Sequence, residues 1–341
     1  MKLLLIKTSS LGDVLHALPA LTEAKAHIPA LDCHWVVEEG FVDIPAWHPA
    51  VSAVLAVAIR RWRRAPLAAL RQGELGRFFA RLRAERYDCV LDAQGLLKTA
   101  PITLLSRGPR VGFDRRSARE GLASVCYDRA VPVDRRQHAV QRLRSLFAAA
   151  LGYEVSATPP DYGIDRARLP PAAQQGDYFM FLHGSTWPSK LWPQAHWRAL
   201  IARAGQVGLK VLLPFGNADE RQRAQALAQG FPHARVLPPL GLPQLAATLA
   251  GARAVVGVDS GPTHLACALG TPTVSIYGAT DPALTGTWGA RQRRMQARFA
   301  CAPCLKRVCR FPAGAALHPP CYGALDAEAV WAQLQSLGLA P

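Results

Sequence analysis

Long hydrophobic runs are missing from this chain of 341 residues. No stretch reaches the about 18 apolar residues that a membrane-spanning helix needs. The apolar run Leu3 to Ile6 is closed by Lys7, too short for a secretory signal, so a cytoplasmic protein is expected. Two phosphate-binding signatures are also missing. No G-x-G-x-x-G follows a strand-like run and no G-x-x-x-x-G-K-[ST] occurs, so neither a dinucleotide fingerprint nor P-loop chemistry is indicated. No short repeat is evident. Acidic residues are scarce: 24 Asp and Glu stand against 40 Lys and Arg, a net charge of +16. That balance suits an anionic partner, whether nucleic acid, a membrane surface or a phosphorylated substrate. With no secretory signal, disulfides among the eight cysteines are not expected. What is present, 50% hydrophobic and 19% charged residues, describes a folded protein long enough for two α/β domains.

The chain is organised around Lys2 to Leu21, KLLLIKTSSLGDVLHALPAL. Leu3 to Ile6 read as a buried parallel strand, Thr8 to Gly12 as a polar turn, and Val14, Leu15, Leu18 and Leu21 fall at helical spacing. Asp13 then stands at the first turn of a helix, beyond a strand's carboxyl end, where open α/β sheets bind ligands. It is either a helix acid satisfying free N–H groups or a general base for a hydroxyl nucleophile.

Further strands are expected at 34–37, 53–58, 87–92 and 110–113, with a helix over 67–86. Arg60, Arg61, Arg63 and Arg64 form a basic knot around Trp62 after the third strand. It is either a solvated face or a site for carboxylates and phosphates. Gln94 and Lys98 follow the fourth strand, and Arg119 the fifth. A Pro-rich linker at 161–175 separates an N-terminal domain, 1–160, from a second at 176–324. A final helix lies in 325–341 and is free to pack back on the first domain.

The second half repeats the alternation, with strands at 178–183, 209–214, 254–258 and 272–277. Ser185, Thr186 and Lys190 follow the first of these, and hydroxyls, N–H groups and an ammonium suit a diphosphate. Asp259, Ser260 and Gly261 open a helix that carries His264. Glu220 begins another helix. Singly these residues are caps, surface groups or core histidines; together, at successive strand ends, they read as a nucleotide-diphosphate site.

The stretches KTSSLGDVLHALPAL, AIRRWRR, LDAQGLLKTA and DSGPTHLACALGTPTVSIYGATDP resemble the ADP-heptose:lipopolysaccharide heptosyltransferases. The resemblance covers nearly the whole chain, and its wording is nearest to the branch that adds the first heptose. It implies α/β architecture with two Rossmann-like, doubly wound domains facing a cleft (the GT-B plan), the acceptor in the first domain and the nucleotide sugar in the second. It implies inverting transfer of heptose from ADP-L-glycero-β-D-manno-heptose to the Kdo of Kdo2-lipid A, with Asp13 as base. Ser185, Thr186, Lys190, Glu220, Leu240, Asp259, Ser260, Gly261 and His264, together with Ser10 and Gly12, are implied in donor binding. Leu240 stands where the family contacts the adenine region. Ser185 departs from a common threonine but keeps the hydroxyl. Arg60, Arg61, Arg63, Arg64, Gln94, Lys98 and Arg119 are implied in acceptor binding. No cofactor is implied, and the expected enzyme is a monomer, peripheral on an anionic inner membrane at its cytoplasmic face.

Cys301-x2-Cys304-x4-Cys309-x11-Cys321 is open to two readings, a structural zinc site or buried loop thiols. Three rival functions remain. One is transfer of the second heptose. Another is nucleic-acid binding, suggested by the charge but supported by no recognition signature. The third is nucleotide-sugar epimerisation on the same two-domain plan.

Overall fold

The computed structural model describes residues 1–172, 174, 177–312 and 317–340. Ala173 and Gln175 of the expected linker, and Gly176 at the expected start of the second domain, lie outside the described residues. The chain divides into two compact units, Met1–Asp165 and Arg166–Pro341.

The first unit holds a six-stranded sheet made of β1 (Lys2–Ile6), β2 (Asp32–Glu38), β3 (Val51–Val57), β4 (Cys89–Asp92), β5 (Arg110–Phe113) and β6 (Arg129–Val131). Its order is β3-β2-β1-β4-β5-β6, and every neighbouring pair is parallel. Leu3, Leu4, Leu5 and Ile6 are wholly buried, as a central parallel strand covered on both faces requires. Leu4 and Ile6 meet Phe78, Leu82 and Ile102 from the helices Glu74–Ala84 and Ala100–Leu105. The strand order reverses between β1 and β4, which run in register from Leu3 with Cys89 to Ile6 with Asp92.

The second unit repeats the plan with β7 (Tyr178–Leu182), β8 (Lys210–Leu213), β9 (Ala234–Val236), β10 (Ala254–Val258), β11 (Thr273–Tyr277) and β12 (Gln292–Gln296). Their order is β12-β11-β10-β7-β8-β9, again parallel throughout, with the reversal between β7 and β10.

One expectation needs correction. The helix expected over 67–86 is two helices, Pro66–Arg71 and Glu74–Ala84, parted at Gly73 with φ of +65°. Only glycine takes that conformation without strain, so the chain turns there. The last helix is Ala327–Ser336. Its Val330, Trp331 and Leu334 are buried with Phe179, Trp197 and Leu200 of the second unit. Trp192 Nε1 donates to the Leu325 carbonyl at 2.7 Å just before that helix.

Candidate active site

Asp13, Gln94 and Lys98 follow β1 and β4, and Ser185, Thr186, Lys190 and Asp259 follow β7 and β10, the strand pairs between which the order reverses. In a doubly wound sheet the loops leaving the carboxyl ends diverge there to opposite faces and open a crevice.

In the first unit that point lies between the loops after β1 and β4. Asp13 is the third residue of the short helix Leu11–Leu15. Its Oδ2 accepts from Ser10 N and from Ser10 Oγ, each at 2.8 Å. Both described donors go to one oxygen, which leaves the lone pairs of Oδ1 for another group. Burial alone would raise this carboxyl, but the Lys7 ammonium, the Ser10 donors and His16 outweigh it and hold it below the ordinary value. Gly12 lies in the same first turn. Lys7, itself buried, donates from Nζ to the Ala93 carbonyl at 2.9 Å, and burial lowers its pKa.

Gln94 does something the sequence did not suggest. Its Oε1 accepts from Thr8 N at 2.9 Å, Thr8 Oγ1 at 3.2 Å and Ser9 N at 3.2 Å. It therefore ties the β4 loop to the β1 loop that carries Asp13. Behind it, the wholly buried Asp92 accepts from Gln94 N, Gly95 N, Thr99 Oγ1, Thr103 Oγ1 and Tyr127 OH at 2.8–3.2 Å. Lys98 donates to Ser9 Oγ, and burial lowers its pKa.

The arginine knot is a helix, Ile59–Arg64, rather than a loop. Arg61 is committed to Glu39 at 3.0 Å and Glu74 at 2.7 Å, and Trp62 Nε1 also donates to Glu74. Arg60 leans over Phe41 and its backbone N–H donates to the buried Glu38. Arg63, Arg64 and Arg119 are exposed. The structure thus gathers Asp13, Gln94 and Lys98 tightly and leaves most of the arginines at the periphery.

In the second unit the loops after β7 and β10 meet. Lys190 Nζ lies 2.6 Å from Asp259 Oδ2, and Thr280 Oγ1 donates to the same oxygen at 2.6 Å. His264 Nε2 is 3.4 Å from Asp259 Oδ1. Burial would raise the Asp259 carboxyl, but His264 and Lys190 hold it well below the usual carboxylate range. An anionic Asp259 therefore fixes an ammonium beside the start of helix Gly261–Ala268, whose N-cap is Ser260. Free N–H groups and a held ammonium together suit a diphosphate.

Beside this cluster is a cavity of about 680 Å³ lined by Ser185, Thr186, Asn217, Glu220, Arg223 and Arg307, among others. Asn217 caps helix Ala218–Ala228, and Glu220 Oε2 accepts from Gly216 N at 2.7 Å. A Cβ at Gly184 would come within 2.5 Å of Glu220 Oε1, so the Glu220 side chain would have to shift. Leu240 is half-buried after β9 and is not among the residues lining that cavity. Among the described residues no three His, Cys, Asp or Glu side chains gather as a metal cage. The Cys321 thiol is pushed up to about 11 by burial and by the neighbouring Cys309, Cys301 and Cys304.

Lys7, Glu38, Asp92 and Thr280 belong to these clusters and were not singled out from the sequence. Their one sequence signal is position: each follows or ends a strand.

The model of glycosyltransferase family 9 (heptosyltransferase) matches residues 75–314. The chain is 50% identical over 351 aligned residues to lipopolysaccharide heptosyltransferase 1 of Pseudomonas aeruginosa, covering 100% of this chain and 99% of the relative. The solved E. coli heptosyltransferase WaaC with ADP superposes with a TM-score of 0.87 at 42% identity, covering 99% of this chain and 100% of that one. WaaC with ADP-2-deoxy-2-fluoro heptose superposes with a TM-score of 0.80 at 46% identity, over 87% and 94%. The two Rossmann-like units have the GT-B architecture of these glycosyltransferases, and the chain belongs to glycosyltransferase family 9, the heptosyltransferases.

Proposed function

We propose that this chain is a lipopolysaccharide heptosyltransferase 1, moving L-glycero-D-manno-heptose from ADP-heptose to the Kdo of Kdo2-lipid A. The full-length identity to a heptosyltransferase 1 carries that reading over the second-heptose branch. It also sets aside the epimerase and nucleic-acid rivals.

The proposed chemistry is a single displacement with inversion. An acceptor hydroxyl attacks the anomeric carbon, its proton passes to Asp13, and the bond from that carbon to the β-phosphate oxygen breaks with its electron pair leaving on ADP. The free Oδ1 is the atom that takes the proton, while Oδ2 stays held by Ser10. Ser10 and Gly12 keep that helix start close to the donor. A low pKa keeps Asp13 ionised, which suits a reaction whose transition state has oxocarbenium character and little need of a strong base. Lys190, Ser185, Thr186 and the helix start at Ser260 and Gly261 receive the diphosphate charge. Asp259 and His264 orient Lys190, Glu220 holds ribose hydroxyls, and Leu240 lies toward the adenine. Lys98, Arg60, Arg63, Arg64 and Arg119 meet the carboxylates and phosphates of the acceptor. No helix among the described residues is long and apolar enough to cross a membrane. Peripheral work as a monomer at the cytoplasmic face of the inner membrane completes the reading.

The test is ADP release from ADP-heptose, with and without Kdo2-lipid A, by wild type and Asp13→Ala. Acceptor-dependent release should fall in the variant by about 10²-fold or more while ADP still binds. Equal release by both proteins would leave Asp13 a helix residue only.

A further inference from the structure

The proposed reaction gives no part to residues 301–309, the stretch that carries Cys301, Cys304 and Cys309. That stretch is bonded to both loops that build the Lys190 and Asp259 cluster. Leu305 N donates to the Ala279 carbonyl at 2.8 Å, and the next residue, Thr280, is the one whose hydroxyl reaches Asp259. Ser189 is buried on the turn Pro188–Lys190. Its N–H donates to the Arg307 carbonyl at 3.2 Å, and its Oγ donates to the Lys306 carbonyl. The wholly buried Tyr322 donates its hydroxyl to the Ser189 carbonyl at 3.3 Å. Its ring lies against Gly278, where a Cβ would come within 2.5 Å of it. Ser189 is thus held at its N–H, its hydroxyl and its carbonyl. Residues 305–307 form a strap fixed at both ends, and Leu305 takes φ of +54° within it. An aliphatic residue stays in that left-handed conformation only where its surroundings hold it.

The strap brings one cation to the cavity of the second unit. Arg307 lines that cavity with Ser185, Thr186 and Glu220. Its backbone is fixed by Ser189, while its side chain is exposed and makes no ion pair or hydrogen bond among the described residues. The other guanidinium at this cavity is Arg223, which is committed to the Trp192 carbonyl at 2.6 Å. Lys190 is also engaged, by Asp259 at 2.6 Å, so part of its charge is already balanced. A departing diphosphate needs a further cation, and a planar guanidinium matches two phosphate oxygens at once.

We propose that Arg307 is a donor-binding residue whose guanidinium receives the diphosphate of the nucleotide sugar, with Ser189 as the residue that positions it. The assignment rests on the reading of the second unit as a nucleotide-diphosphate site. It extends that site from the loops after β7 and β10 to the segment after β12.

The experiment measures ADP binding to the full-length chain by calorimetry for wild type, Arg307→Ala and Arg307→Lys. ADP affinity should fall about tenfold or more in Arg307→Ala, the loss expected for a hydrogen bond to a charged group. Arg307→Lys should lie between the two, because it keeps the charge without the planar fork. Without ligand the three proteins should melt alike, since the side chain is exposed and unpaired. Inorganic pyrophosphate should displace ADP from wild type and do so less well from Arg307→Ala. Equal ADP affinity in wild type and Arg307→Ala overturns the assignment. Pyrophosphate that displaces ADP equally well from both proteins, or from neither, also overturns it, because Arg307 would then not meet the phosphates. Heptose transfer to Kdo2-lipid A is followed beside this. Wild type that binds ADP as expected but transfers no heptose removes the proposed reaction and leaves Arg307 assigned. Wild type that transfers heptose, with Arg307→Ala unchanged in ADP affinity, removes Arg307 alone.

Discussion

Asp13 satisfies its helix start through Oδ2. The bonds from Ser10 are those of a helix-start acid. Oδ1 has no described donor, and the carboxyl is held below its ordinary value. Among the charges that hold the carboxyl down, Lys7 is the largest. Lys7→Met is therefore expected to raise the Asp13 pKa, because a neighbouring cation favours the ionised form. The acid limb of the kcat/KM profile should move to higher pH, since Asp13 would then be protonated at pH values where wild type is ionised. An acid limb that stays in place would show that Lys7 acts only through its bond to the Ala93 carbonyl.

At the scale of the element, the β4 loop is built around one buried carboxylate. Asp92 collects five donors from the chain that follows it, and its neighbour Gln94 grips the β1 loop. Removing one donor differs from removing the acceptor. Tyr127→Phe loses a single hydrogen bond and should destabilise the first unit by about 1 kcal/mol. Asp92→Ala strands five donors and should destabilise it by roughly 3 kcal/mol or more. Urea unfolding of both variants checks the ranking; equal losses would mean that the donors find other partners. Period-2 and continuous apolar patterns disclosed the buried strands, and 110–113 and 254–258 fall where expected. The edge strands β6, β9 and β12 escaped notice. β6 and β9 have three residues each, and the three strands carry Arg129, Arg235, Arg293 and Arg294, since an edge faces water and is protected by charge.

For the molecule as a whole, acid stability is tied to a histidine outside the proposed chemistry. His183 follows β7 in the core of the second unit with no exposed surface. Burial, and secondarily Arg223, lowers its pKa from 6.5 to about 4. The unfolded chain binds this proton more readily than the native one, so stability rises with pH between those values. The contribution is complete above pH 6.5 and is lost as pH falls toward about 4. It amounts to roughly 3 kcal/mol. The second unit's thermal transition should drop over that window in wild type and change less in His183→Leu, as followed by calorimetry. An equal drop in both would assign the acid sensitivity to other groups.

The sequence by itself determined the fold class and the family, and it singled out Lys190, Asp259 and His264, which the structure brings together. Those depend on local order: apolar runs at strand spacing, small polar residues just after them, and the D-S-G-x-x-H stretch from Asp259 to His264. Only the tertiary structure decided which of these groups are engaged with one another. Arg61 reads as one of four equal cations but is spent on Glu39 and Glu74, more than ten residues away in either direction. Gln94 closes on Thr8 and Ser9, and Asp92, at the end of a strand, anchors the loop beside the one that carries Asp13. Those partners are brought together by parallel strand pairing. Pairing places β1 beside β4 across more than eighty residues of sequence, and no local pattern encodes that.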